Sequence, residues 1–289
     1  MQIKYLNLFM SIEVQRVLVI GLPETGKSSF IHALDEVLKN PASEADLRSY
    51  GLARDRSYLQ KEKAQFLAGE VLGRTFLPED DTNVEMWFED PLTGRKGELH
   101  LPDKKGEVFR DQWINRQWEQ EYRNSLSEIS GALLFVRADL KSRNDERIGI
   151  LATDVGATNT PAKAWDMKEA SAQVQVVDIL QFISEHSRVR KPLRIAVMIS
   201  AWDTVGRSGD LRPKEPLQFL RTEWALLFQY LSANPESFTM KAYGVSAYGG
   251  PPGALGDLLD DAPHERASLT EEKTKNNKLT IPLRWLLGW

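Results

Sequence analysis

The residues whose spacing most clearly implies chemistry are Gly21-Leu22-Pro23-Glu24-Thr25-Gly26-Lys27-Ser28, which fit the pattern G-x-x-x-x-G-K-[ST]. The glycines allow the backbone to curl so that its N–H groups converge on phosphate oxygens. A helix beginning at the loop's end adds positive partial charge. Lys27 is expected to reach the terminal phosphates and Ser28 to ligate Mg²⁺. Gly21, Pro23, Glu24, Thr25, Gly26 and Ser29 are expected to complete the cradle. Pro23 removes one N–H that another residue would supply. The competing reading is a glycine-rich turn that only caps a helix, and the order of the segments that follow argues against it.

Further along stands Leu101-Pro102-Asp103-Lys104-Lys105-Gly106-Glu107. An Asp at a strand's end can hold Mg²⁺ through water, and a Gly three residues on leaves its N–H open to a γ-phosphate. Ser200-Ala201-Trp202-Asp203 ends a later apolar run. It resembles the N/T-K-x-D segment that reads guanine, in which a carboxylate accepts from the N1–H and the 2-amino group. Ala201 stands where that segment has Lys. Ser246-Ala247 resembles the last guanine-contacting loop. Asp103, Gly106, Trp202, Asp203, Ser246 and Ala247 are therefore candidate nucleotide contacts. Taken alone, each of these short segments reads equally well as a turn or a strand-end cap.

Elements to position these residues are visible around them. The run 14–20 is apolar and β-branched and stops at Gly21, as a buried parallel strand does. Phe30, Leu34, Val37 and Leu38 make a helical stripe ending before Pro41. The stretch 43–72 is polar and reads as mostly helical. Runs 83–90 and 97–102, joined by PLTGRK, read as a hairpin. Apolar strands follow at 131–137, 193–200 and 240–245, with helices around 176–183 and 216–232 and a final amphipathic IPLRWLLGW. Trp285 and Trp289 are expected to pack that last segment on the sheet. Trp113 and Trp118 fall in a helix-like segment, where core packing is the safer reading. The run Glu271–Lys278 reads as a solvated loop or helix face. The alternation implies an α/β fold: three layers, α/β/α, around a mostly parallel six-stranded sheet with one antiparallel edge strand. Residues 1–289 read as one domain with enlarged loops, at about 41–82 and about 138–170.

Composition sets bounds on function. With no Cys, disulfides, thiolate metal sites and Cys nucleophiles are excluded. A net charge of -4 without a basic stripe argues against nucleic acid. The four His share no metal-ligand spacing and read as isolated. The N-terminal segment lacks the features of a signal peptide, and no apolar run is long enough for a membrane span. The cytoplasm is the expected compartment.

In order, GLPETGKS, LPDKKGE, SAWD and YGVSA resemble the motifs of Ras-like, TRAFAC-class P-loop GTPases across nearly the whole chain. LPDKKGE, ASAQVQVVDILQFI, the altered guanine segment and PLRWLL look like the bacterial "double-GTPase" group, associated with conflict and defence systems. The resemblance implies a switch that binds Mg²⁺ with GTP or GDP and works through an effector or activator protein. It also implies a threonine before the hairpin that binds Mg²⁺ and γ-phosphate: Thr82 is placed ahead of Thr75, so Ser28, Thr82 and Asp103 form the metal set. Lys27, Thr82, Gly106 and Glu107 are then the catalytic candidates. Glu107 stands where well-studied members orient water with Gln. A carboxylate accepts from water but repels the γ-phosphate, so slow hydrolysis is expected. Arg74 could serve as an arginine finger in cis, although a surface role is the simpler reading. The alternatives are a module of the same fold that holds nucleotide without turnover, and an adenine-nucleotide phosphotransferase.

Overall fold

A computed structural model describes residues 14–50, 63–70, 72, 84–101, 113–115, 126, 128–139, 170–186, 191–207, 210–250 and 255–289. Its strands are β1 (Gln15–Gly21), β2 (Arg48–Ser49), β3 (Val84–Glu89), β4 (Lys96–Leu101), β5 (Ile129–Arg137), β6 (Leu193–Ser200), β7 (Phe238–Ser246), β8 (Ser268–Glu271) and β9 (Thr274–Asn276). Its helices are α1 (Lys27–Lys39), α2 (Ala172–His186), α3 (Pro216–Glu223), α4 (Ala225–Ala233), α5 (Leu255–Leu258), α6 (Pro263–Arg266) and α7 (Ile281–Leu287). No helix among the described residues is long and apolar enough to cross a membrane.

The strands form one sheet in the order β2-β3-β4-β1-β5-β6-β7-β8-β9. β4, β1, β5, β6 and β7 are mutually parallel. Alternate residues of β1 supply the two cores. Leu18 and Ile20 pack with Ile179 and Leu180 of α2 and with Phe219 and Leu227 of α3 and α4. Val17 and Val19 pack with Phe30 and Leu34 of α1 and with Leu283 and Leu286 of α7. Burial on both faces is why β1 reads as a continuous apolar run. α7 lies so close to the sheet that a Cβ at Gly131 would come within 2.9 Å of Leu286. Arg194 of β6 donates to the carbonyl oxygen of Trp285 at 2.9 Å, adding a side-chain donor to the C-terminal end of α7, where Gly288 N–H also reaches that oxygen.

The three-layer α/β expectation holds, and several details need correction. The sheet has nine strands rather than six, and antiparallel pairing occurs at both edges: β2 and β3 on one side, β8 and β9 on the other. The run Glu271–Lys278 is largely exposed, as expected, but it forms β9 and the end of β8 rather than a loop or helix face. Ser268, Leu269 and Thr270, just before it, are buried because β8 covers the otherwise unpaired edge of β7. The 43–72 stretch contributes β2, which pairs with β3, as well as a helical turn at 63–67. The helix expected over 216–232 is two helices, broken at Trp224, whose backbone leaves the helical region while its side chain stays buried. The expected hairpin forms, with β3 paired antiparallel to β4 from Val84 opposite Leu101 to Glu89 opposite Lys96. The final tryptophans behave as expected: Trp289 meets the Phe88 ring, and Trp285 packs on the α1–α7 core. Trp113 is buried, in keeping with a packing role, while Trp118 lies outside the described residues.

Candidate nucleotide site

Because five adjacent strands are parallel, Leu101, Gly21, Arg137, Ser200 and Ser246 end at the same edge of the sheet. The chain runs from β1 towards β4 on one side and resumes at β5 on the other. This divergence between β1 and β5 opens the crevice where open α/β sheets bind ligands.

The loop 21–26 crosses this crevice. Glu24 and Gly26 take positive φ values, 64° and 85°, and Gly26 is the residue from which α1 starts. A Cβ at Gly26 would stand 2.9 Å from Cβ of Ser200, and one at Gly21 2.8 Å from the carbonyl oxygen of Phe135. Both glycines are thus required by close approach, and α1 starts from Gly26 without a side-chain cap; the first N–H groups of a helix have no acceptor within it and suit an anion. Thr25 donates its hydroxyl to the Leu22 carbonyl at 2.8 Å and is buried, so it fastens the loop internally. The Lys27 ammonium donates to the carbonyls of Gly21 and Leu22, each at 2.8 Å. The lysine is therefore folded back over its own loop, with its charge held at the site. Ser28 follows at the start of α1, presenting a hard oxygen suited to Mg²⁺. A glycine-lined cradle, a helix start and a captive ammonium fit a polyphosphate.

Two residues not singled out from the sequence support this loop. Arg137, at the end of β5, donates to the Glu24 carbonyl at 3.2 Å while paired with Asp139. Ser200, known only as the first letter of the SAWD segment, lies beneath Gly26 with its buried hydroxyl unpartnered. Arg137 gave no signal beyond its place at a strand end.

The second half of the site begins directly after Ser200. Ala201 takes φ 53°, and a 3₁₀ turn at Trp202–Thr204 follows. Asp203 accepts from the Ser246 hydroxyl at 2.9 Å, joining the ends of β6 and β7. Its other carboxylate oxygen lies 3.4 Å from Arg207, which also donates to the Asp203 carbonyl. The carboxylate is thus oriented but not enclosed. Trp202, a candidate nucleotide contact, turns its indole onto the sheet, where a Cβ at Gly244 would lie 2.3 Å away, and meets Phe219 edge-on. Ala247, after Ser246, is half-buried against the α1–α7 core.

Arg212 secures the loop beyond. It pairs with Asp210, donates to the carbonyls of Ala138 and Thr204, and so ties the 204–212 loop to the end of β5. Hydrogen bonds from Arg212 and from the Gly206 N–H hold the Asp210 carboxyl well below the usual carboxylate range. Sequence reading missed this clasp because Arg212 and Ala138 are 74 residues apart.

Among the remaining site candidates, Thr75, Thr82, Asp103, Gly106 and Glu107 lie outside the described residues, as does Arg74. The structure carries β4 to Leu101, beside β1, two residues before Asp103.

A comparison with curated proteins finds no match. Among solved structures, the chain is similar to a bacterial selenocysteine-specific elongation factor, EF-Sec (12% identity, TM-score 0.36, 86% of this chain and 28% of that one). It is also similar to the GTP-bound Ski7 GTPase-like domain of S. cerevisiae (12% identity, TM-score 0.42, 84% of this chain and 45% of that one). The chain thus spans less than half the length of either, and likenesses this distant carry none of the argument. The sequence profile of the family described as Double-GTPase 1 matches residues 18–286, from the middle of β1 into α7, and so takes in both halves of the site. The chain belongs to the Double-GTPase 1 family, which supports a GTP-binding domain.

Proposed function

We propose that residues 1–289 act as one domain that binds Mg²⁺–GTP between the 21–28 loop and the Asp203–Ser246 pair and hydrolyses it slowly. The observation that carries this reading is the joining of those two parts through Ser200, which underlies Gly26 and stands three residues before Asp203. One surface then receives phosphates and base together.

Lys27 and the start of α1 take the phosphate charge, and Ser28, with Thr82 and Asp103, holds Mg²⁺. Held by these residues, Mg²⁺ would supply charge neutralisation at the phosphates. Gly106 donates its N–H to the γ-phosphate, and Glu107 accepts from the attacking water. Asp203 accepts from guanine, while the backbone near Trp202 and Ser246–Ala247 borders the base. Arg207, already beside the carboxylate, lies where its chain could border the base in place of the Lys that Ala201 replaces. The role in regulating an effector or activator protein, in the cytoplasm of a bacterium with conflict or defence systems, is supported by the family resemblance.

The test is single-turnover hydrolysis combined with calorimetric titration of GDP and ADP. GDP should bind and ADP should not. Turnover should lie well below about 10 per second, the ordinary enzyme median. A Glu107→Gln protein should be at least as fast as the parent. Preferential ADP binding would remove the guanine reading, and rapid parent turnover would remove the role given to Glu107.

A further inference from the structure

β3 and β4 bring together three side chains that their sequence spacing leaves apart. Glu85 is directly opposite His100 in the antiparallel register, and Glu98 is two residues before His100 on the same face of β4. One ligand atom from each lies within 4.8 Å of the others. Glu98 and His100 are each only 5% exposed. Glu98 Oε1 and His100 Nδ1 have no hydrogen-bond partner, although they face each other at 3.7 Å, beyond hydrogen-bonding range. Leaving two such atoms unsatisfied in a buried place is costly.

We propose that Glu85, Glu98 and His100 bind a divalent transition-metal ion, with zinc the best fit. One imidazole nitrogen and two carboxylate oxygens, completed by water, make a common four-coordinate zinc set. Bonds of about 2 Å place tetrahedral ligand atoms about 3.3 Å apart, so small side-chain rotations close the cluster. The surroundings fit a cation as well. Arg16 engages the other oxygen of Glu98 at 3.3 Å and Glu128 at 3.0 Å, which leaves Oε1 directed at His100. Trp87 lies 3.5 Å from one oxygen of Glu85. These outer contacts fix the ligands' orientations. Three carboxylates against one guanidinium leave two negative charges, which a divalent ion balances.

The site is separate from the one at Ser28. His100 is level with Leu18, three residues short of Gly21, which is about 10 Å along the strand. The ion would clamp β3 to β4 just before the chain leaves for Asp103. His100, isolated in the sequence, acquires its partners only through strand pairing.

Zinc is titrated calorimetrically into the full chain in millimolar Mg²⁺, beside Glu85→Gln, His100→Gln and Ser28→Ala proteins. Co²⁺ absorption reports the geometry. The parent should take up one equivalent of zinc and give tetrahedral Co²⁺ bands. Glu85→Gln and His100→Gln should each weaken binding at least tenfold, and Ser28→Ala should leave it unchanged. Glu85→Gln is isosteric and half-buried, so it keeps the test open if His100→Gln does not fold. Absence of zinc uptake by the parent would overturn the proposal and leave a proton shared by Glu98 and His100 as the means of satisfying them. Affinity unchanged in Glu85→Gln, or lost in Ser28→Ala alone, would overturn it equally.

Discussion

Asp203 is held by Ser246 on one oxygen and approached by Arg207 on the other, so its carboxylate reaches any base already oriented. Charge-assisted hydrogen bonds to the two guanine N–H groups are stronger than neutral ones. Asp203→Asn should therefore cost guanine binding on the order of 2–4 kcal/mol. Xanthine has an oxygen where guanine has its amino group, and it should gain from the new amide. Competition between GDP and xanthosine diphosphate measures both effects. Equal GDP affinity in Asp203→Asn would reduce Asp203 to a strand-end cap. At this scale the sequence was legible where local pattern suffices. The 21–28 loop needs only its own glycines, lysine and serine in order. Arg137, Arg212 and the Glu85–Glu98–His100 group were not legible, because each gains a contact from a segment distant in sequence: Glu24 for Arg137, Ala138 for Arg212, and the paired strand for Glu85.

At the scale of elements, two contacts are open to test. Gly26 joins β1 to α1 with φ 85°, against Ser200. Gly26→Ala combines a left-handed backbone cost of about 1–2 kcal/mol with that overlap. It should distort the loop and weaken nucleotide binding more than tenfold, while thermal melting shows a folded chain. Tight binding by Gly26→Ala would show that the close approach to Ser200 does not shape the loop. The second contact is Asp90, at the turn between β3 and β4, which binds Thr93 at 2.7 Å and the Leu92 N–H and meets Arg284 of α7. Burial alone would raise its pKa, yet these partners together hold the carboxyl below its usual 3.8. A depressed carboxylate stabilises the fold fully above its unfolded pKa, and the contribution is lost as pH falls through the folded value. Asp90→Ala should thus lower stability by about 1–3 kcal/mol at pH 7. The difference from the parent should shrink below about pH 4. Denaturant melts at pH 7 and pH 3.5 measure it, and a difference that grew on acidification would contradict the account.

For the whole molecule, the alternation of apolar strands and striped helices was enough to read the layers, because buried parallel strands and amphipathic helices carry their environment in their pattern. The outer strands were not read. β2 has two residues, and β8 and β9 are polar, so neither shows a period; they exist because β3 and β7 would otherwise present open edges. These additions widen the sheet without changing the edge where Gly21, Ser200 and Ser246 meet. Thr82, Asp103, Gly106 and Glu107 are the members of the site read from the sequence that lie outside the described residues.

If this edge binds GTP through Lys27, nucleotide must stabilise the folded chain and do so only while Lys27 is present. A ligand that binds only the folded state stabilises it by mass action, by about 2.7 kcal/mol at one hundred times its Kd. The most direct measurement is thermal unfolding of the parent and of Lys27→Ala across a titration of Mg²⁺–GTP. The parent's Tm should rise by several degrees, and Lys27→Ala should melt within a few degrees of the unliganded parent with almost no response to nucleotide. A folded parent whose Tm ignores GTP, or a Lys27→Ala protein that responds as the parent does, would contradict the account.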